Sequence, residues 1–199
     1  MNEFDLTNDQ VDDAMSKAKK YKALILDLRG DHGGWVTTIN RLISNLFDRD
    51  VKIGDTKSRK ETKAEIAKSR GEKAFDGKLM ILVDSRSASA SEVLARTIQL
   101  EKRGVIIGDR TAGAVMTSRR FGYQVGVDVV VFYGASVTVS DLIMSDGNSL
   151  EHVGVTPDEV NCQRLKIWPP GEIQCSPMQR HSAASRSIRL RRARSFHSR

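Results

Sequence analysis

Apolar residues recur along this chain with two spacings, which predict alternating helices and strands. Apolar positions at helical spacing predict a helix at residues 35–47. Residues 8–20, with Asn8 or Asp9 near the start and lysines near the end, predict a second helix, and residues 91–103 predict a third. Short continuous apolar runs predict three buried strands, at residues 23–28, 78–84 and 105–108. Because strands and helices alternate in this way, the pattern favours a layered α/β fold.

In the second half of the chain, the alternation of apolar and polar residues predicts a hairpin. Residues 119–133 alternate apolar and polar positions around GVD, and residues 135–144 predict one more strand. Residues 54–77 are polar, charged and without a period. We interpret them as a surface excursion with a helix near residues 61–69.

The positive charge is concentrated at the C-terminal end. The chain has 199 residues and a net charge of +7, whereas residues 161–199 alone carry nine Lys or Arg and one acid, Glu172. The first 160 residues are therefore close to neutral, which argues against a nucleic-acid partner for the folded part. We interpret residues 161–199 as a disordered basic tail.

The remaining composition excludes several kinds of site. Cys162 and Cys175 lie in the tail, so residues 1–160 contain no disulfide, cysteine nucleophile or thiolate zinc site. His32 and His152 are isolated from each other, and we predict no metal or cofactor. No apolar run approaches the roughly 18 residues that span a bilayer, and the acidic, polar N-terminus is not a signal peptide.

A turn of small residues, SRSASAS, joins the strand at 78–84 to the helix at 91–103. Such a corner can present a serine at the end of a sheet, beside the positive end of a helix. Taken alone, the motif is explained as well by packing and N-capping.

A second glycine-containing loop, RGDHGG at residues 29–34, also follows a predicted strand. Its glycines would permit close approach of the backbone to a ligand, although an ordinary turn explains it equally well. The loop matches neither GxGxxG nor a phosphate-binding loop, so nucleotide binding has little support.

Four motifs in order resemble the tail-specific (C-terminal-processing) serine proteases, peptidase family S41. They are LILDLRGDHGG (24–34), SASASE (87–92), VIIGDRTAGA (105–114) and SLEHVGVTPDEV (149–160). The resemblance covers roughly residues 20–160. It implies a crotonase- or ClpP-like core of layered sheet and helices, a serine-type hydrolase activity and a protein or peptide substrate.

The resemblance also implies candidate site residues. It makes Ser89 the nucleophile and takes oxyanion-hole donors from the backbone of Ala90 and of Gly33 or Gly34. One branch of the family uses a lysine 25 positions after the serine, where this chain has Ala114.

A second, tricorn-like branch pairs an upstream histidine with a glutamate near the closing motif. Glu151 is the matching glutamate, with a solvated loop carboxylate as the alternative interpretation. The histidine has no counterpart, and His32 and His152 are weak substitutes.

The chain is accordingly interpreted as the C-terminal part of a tail-specific protease catalytic domain (1–160) followed by the tail (161–199). We expect little peptidase activity, because an unactivated serine is a poor nucleophile. One alternative is a non-catalytic peptide-binding module that keeps the fold, and another is a nucleic-acid binder driven by the tail.

The tail has a second interpretation. Permitted codons for residues 161–179, read in another frame, encode a sequence that resembles how close family members continue, which suggests a frameshift near codon 160. Relatives are often periplasmic or exported, but this chain carries no signal peptide. Its oligomeric state and its substrate stay open.

Overall fold

Two four-stranded β-sheets and three α-helices form the structure, a computed structural model that describes residues 5–126 and 130–160. The tail at 161–199 lies outside the described residues. Within these ranges no helix has the length and apolar character needed to cross a membrane. The helices are α1 (Asn8–Ala18), α2 (Val36–Leu46) and α3 (Ala90–Leu100). The strands are β1 (Ala23–Asp27), β2 (Val51–Ser58), β3 (Thr62–Ala67), β4 (Lys78–Val83), β5 (Val105–Gly108), β6 (Thr117–Val125), β7 (Val131–Met144) and β8 (Glu159–Val160).

The first sheet is parallel and has the strand order β1-β4-β5-β8. Leu79, Ile81 and Val83 alternate along β4 and are buried, as are Leu94 and Ile98 of α3. This apolar packing holds the start of α3 at the end of the sheet. Because β1 and β4 pair in parallel, with Asp27 opposite Leu82, the loops that follow them leave from the same edge.

The second sheet is antiparallel and has the order β3-β2-β7-β6. Its strands β6 and β7 form the predicted hairpin, although the GVD turn at 126–128 lies partly outside the described residues. Tyr123 and Tyr133 stack across this hairpin, with ring centroids 5.6 Å apart. The layered α/β class predicted from the alternation of elements is thus confirmed.

Two predictions of secondary structure are wrong. The helix expected near 61–69 is strand β3, because β2 pairs with β3 on one side and with β7 on the other. This pairing overrides the helix preference of residues such as Lys63, Ala64 and Glu65. The strand expected at 135–144 is instead the second part of the single strand β7.

Strand β1 was predicted to be buried, and this is also wrong. Its residues alternate between exposed and half-buried, and the Ile25 side chain is 57% exposed. Among the described residues β1 pairs only with β4, so it lies at the edge of the parallel sheet.

An ion cluster joins α1 to α2 and to the segment before β4. Asp12 accepts hydrogen bonds from Arg41 Nε at 2.9 Å and Asn45 Nδ2 at 3.0 Å, and it forms an ion pair with Arg70. The hydrogen bond from Arg41, helped by Asn45 and Arg70, outweighs burial and lowers the pKa of Asp12 to about 2. The ionised carboxylate is therefore favoured in the folded chain.

We predict that Asp12→Asn lowers the free energy of unfolding at neutral pH by about 1 kcal/mol, because the pair is partly exposed and screened. The pKa of Asp12 is lower in the folded than in the unfolded chain. Its contribution is therefore complete above pH 3.8 and is lost as the pH falls toward 2. Urea unfolding at neutral and acidic pH measures both effects. The control is Asp13→Asn, the exposed neighbour on the same helix. Equal loss in both variants at neutral pH would contradict the prediction.

Candidate active site

Ser89 lies at the corner between β4 and α3, and the double-glycine loop lies directly against it. The serine has φ +53° and ψ −113° and is half-buried. A Cβ atom built on Gly33 would meet Ser89 Cβ at 2.7 Å and Ala90 N at 2.9 Å. Gly33 itself has φ +98°, so both space and conformation require glycine there. The two motifs that the sequence brought forward are therefore neighbours.

Two carboxylates fix this arrangement from the loop side. Asp31 is fully buried, and its Oδ1 accepts hydrogen bonds from Gly33 N–H at 2.8 Å and Ser91 Oγ at 2.9 Å. Asp84 accepts a bond from Gly30 N–H at 2.9 Å. Burial alone would raise the pKa of Asp84, but hydrogen bonds from Gly30 and Arg86 N–H outweigh it and leave the pKa below its ordinary value.

The Asp31 contact bears on the predicted oxyanion donors. The sequence left open whether Gly33 or Gly34 supplies the N–H that the loop donates to the oxyanion. The Gly33 N–H donates to the Asp31 carboxylate instead. Gly34 is exposed at the end of the loop. Of the two glycine amides, Gly34 is thus the better candidate.

Glu92 connects the serine corner to the TAGA loop at residues 111–114. Its side chain is fully buried and accepts four hydrogen bonds. The donors are Ser89 N–H at 3.0 Å, Thr111 Oγ1 at 2.6 Å, Gly113 N–H at 2.7 Å and Ala114 N–H at 2.9 Å. Ser89 N and Ala114 N bind the same carboxylate oxygen, so Ala114 lies close to the serine backbone.

Glu151 also binds this loop. Its side chain is only 17% exposed, and its Oε2 accepts bonds from Val115 N–H at 2.8 Å and Met116 N–H at 3.1 Å. The alternative of a solvated loop carboxylate is therefore wrong, because burial and two backbone donors hold the group in place.

The two histidines have different surroundings, and both are exposed. His152 Nε2 lies 3.9 Å from Glu151 Oε1, and its side chain is 89% exposed. His32 is exposed in the double-glycine loop. Within residues 5–126 and 130–160, no histidine or lysine nitrogen forms a hydrogen bond with Ser89 Oγ. The position that carries the lysine in one branch of the family is the exposed Ala114.

Sequence reasoning did not single out Asp31, Glu92 or Thr111. All three lie inside motifs quoted in the sequence analysis. The two acids could have been noticed there, because a charged side chain that is buried among small residues needs hydrogen-bond partners. Their backbone partners lie on other loops, however, so only the folded chain identifies them.

Comparison with known proteins gives the family to which the chain belongs. The family model described as peptidase family S41 matches residues 1–160. The chain belongs to peptidase family S41. The predicted resemblance to the tail-specific proteases is thereby confirmed.

Matches to individual S41 relatives cover most of this chain but only part of each relative. It is 32% identical over 154 residues to the carboxyl-terminal-processing protease of Synechocystis sp., a match that covers 75% of this chain and 34% of that protein. It is 31% identical over 145 residues to the tail-specific protease of Haemophilus influenzae, over 70% of this chain and 20% of that protein. A solved structure of a photosystem II D1 C-terminal processing protease superposes with a TM-score of 0.61 at 26% identity. That superposition covers 81% of this chain and 41% of the other. The chain thus spans about a third or less of the curated S41 relatives it matches.

We predict that Glu92→Gln destabilises this S41 chain by about 2 to 4 kcal/mol, because the glutamine amide would face hydrogen-bond donors and leave buried groups unsatisfied. Denaturant unfolding measures the loss. The control is Glu101→Gln at the other end of α3, where the carboxylate pairs with the exposed Arg49. A loss no larger than that of the control would show that Glu92 is not required to hold the two loops together.

Proposed function

We propose that Ser89 is the nucleophile of a serine peptidase site that acts on protein or peptide chains. The observation that carries this proposal is the contact of Ser89 with Gly33 at the first turn of α3. A half-buried serine with a positive φ, in contact with a glycine loop, is an arrangement that packing alone does not require. The names of the relatives support the same class of reaction.

The proposed oxyanion hole combines Ala90 N–H with Gly34 N–H. Ala90 is the first residue of α3, so its N–H points out of the helix, where the helix dipole favours negative charge. Attack of Ser89 Oγ on a peptide carbonyl places negative charge on the carbonyl oxygen. Each correctly placed donor stabilises that charge by about 3 kcal/mol.

The acid–base partner is the weaker part of the proposed site. Proton removal from Ser89 requires a base, and Ala114 cannot supply one. We propose that Glu151 belongs to the relay, since its carboxylate is held beside Ala114 through Val115 and Met116. Glu151 would then orient a base rather than remove the proton itself.

A non-catalytic peptide-binding module is the second candidate. The alanine at position 114 favours it, because that side chain has no acid–base capacity. Both candidates retain the serine corner, and they differ in whether Ser89 reacts with an electrophile.

We predict that a fluorophosphonate probe labels the chain at Ser89 slowly, because Ala114 supplies no base. Formation of the adduct needs a nucleophilic serine and an oxyanion hole. Mass spectrometry of the digested chain locates the adduct, and Ser89→Ala abolishes it. Ser85→Ala, which changes an exposed serine on the same corner, serves as the control and retains it. Labelling that persists in Ser89→Ala would refute the proposed nucleophile, and an unlabelled chain would favour the binding module.

We predict that the unmodified chain turns over little of an unstructured peptide. In Ala114→Lys we expect the rate of Ser89 labelling to rise by at least about tenfold. The lysine would place an amine beside the serine backbone, within reach of its hydroxyl. The matched control is Ala112→Lys, an exposed position in the same loop. An equal increase in both variants would indicate a general effect of charge. Rapid peptide turnover that disappears in Ser89→Ala would show that a base is already in place.

A further inference from the structure

Asp31 is a buried carboxylate at the centre of the double-glycine loop. Its Oδ1 accepts the bonds from Gly33 N–H and Ser91 Oγ described above, and its backbone carbonyl accepts one from Ala88 N–H at 2.9 Å. Ala88 and Ser91 flank Ser89 in the sequence. One residue therefore joins the loop to both sides of the serine.

The environment of Asp31 is not the one that stability alone would select. Among the described residues, no protein group donates a hydrogen bond to its buried Oδ2, and no cation pairs with the carboxylate. A buried polar atom in this condition costs about 1 to 3 kcal/mol. A group that is retained despite such a cost needs an explanation other than stability.

The orientation of Gly33 supplies that explanation. The Gly33 N–H is bound to Asp31, and the position that a Gly33 Cβ would occupy lies 2.7 Å from Ser89 Cβ. Without this bond, a loop containing two glycines has many accessible conformations. In some of them Gly33 N–H would compete for the position of the oxyanion donor.

We propose that Asp31 is a positioning residue for Ser89. It holds Gly33 N–H and Ser91 Oγ, fixes the double-glycine loop against the serine, and makes Gly34 the glycine that donates to the oxyanion. This inference rests on the peptidase function proposed above. It concerns a residue that acts through the loop and does not touch the substrate.

Three variants distinguish the effect of the Asp31 hydrogen bonds from the effect of its charge and from a general loss of folding. Asp31→Asn keeps an oxygen for Gly33 and Ser91 and removes the charge. Asp31→Ala removes both bonds, and Ser91→Ala removes one of them. Asp109→Ala, which changes an exposed loop carboxylate after β5, is the control for loss of an aspartate in a loop.

The first measurement is amide hydrogen exchange by NMR, and it does not depend on activity. We expect slow exchange at Gly33 in the unmodified chain and in Asp31→Asn. In Asp31→Ala we expect exchange faster by about tenfold or more, the effect of losing a hydrogen bond to a charged group. The amides of Leu94 and Ile98 in α3 report whether the fold is intact. Unchanged Gly33 exchange in a folded Asp31→Ala would overturn the proposal.

The second measurement is the rate of Ser89 labelling by the fluorophosphonate probe. Asp31→Ala should lower it by about tenfold or more through loss of a positioned donor, Asp31→Asn should restore most of it, and Ser91→Ala should lie between them. If Gly33 exchange accelerates but labelling is unchanged, Asp31 holds the loop without positioning the site, and the proposal fails. If the unmodified chain is not labelled at all, the peptidase function fails, while the exchange result still decides whether Asp31 orients Gly33.

Discussion

Carboxylates that accept hydrogen bonds from backbone N–H groups hold the serine corner, the double-glycine loop and the TAGA loop together. Glu92 is the central one, because its two oxygens bind donors from the serine corner and from the TAGA loop. A buried carboxylate without a cationic partner is stable only when such donors satisfy it. The two loops consequently cannot move apart without leaving a charge unsatisfied, and their relative position is thereby restricted.

The parallel pairing of β1 with β4 provides the frame on which these carboxylates act. It delivers two loops to one edge of the sheet, where strand ends meet and where ligands commonly bind in sheets of this kind. Close packing of Gly33 on Ser89 then brings their backbones into contact. A side chain at position 33 would force the loops apart, so the glycine is a requirement of the tertiary structure.

The residues of the proposed serine peptidase site differ in how far they are buried. Ser89 is half-buried and Glu151 is largely buried beside the TAGA loop, whereas His32 and His152 are exposed. Preorganised amides stabilise an oxyanion, but proton transfer requires a base at hydrogen-bond distance. Membership of the S41 family rests on the match over residues 1–160, and it is a separate matter from the activity of this chain.

Local pattern was sufficient for α1, α2, β4, α3 and β5, because each buries an apolar face whose spacing is visible in the chain. The serine corner and the glycine loop were connected with each other only by the resemblance of their motifs to family S41. Only the tertiary structure decided that residues 62–67 form a strand, since their pairing with β2 outweighs their helix preference. The tertiary structure likewise decided the hydrogen-bond partners of Asp31 and Glu92. A carboxylate's backbone partners are set by which loops the fold brings together, and that information is not contained in the residues adjacent to it in sequence.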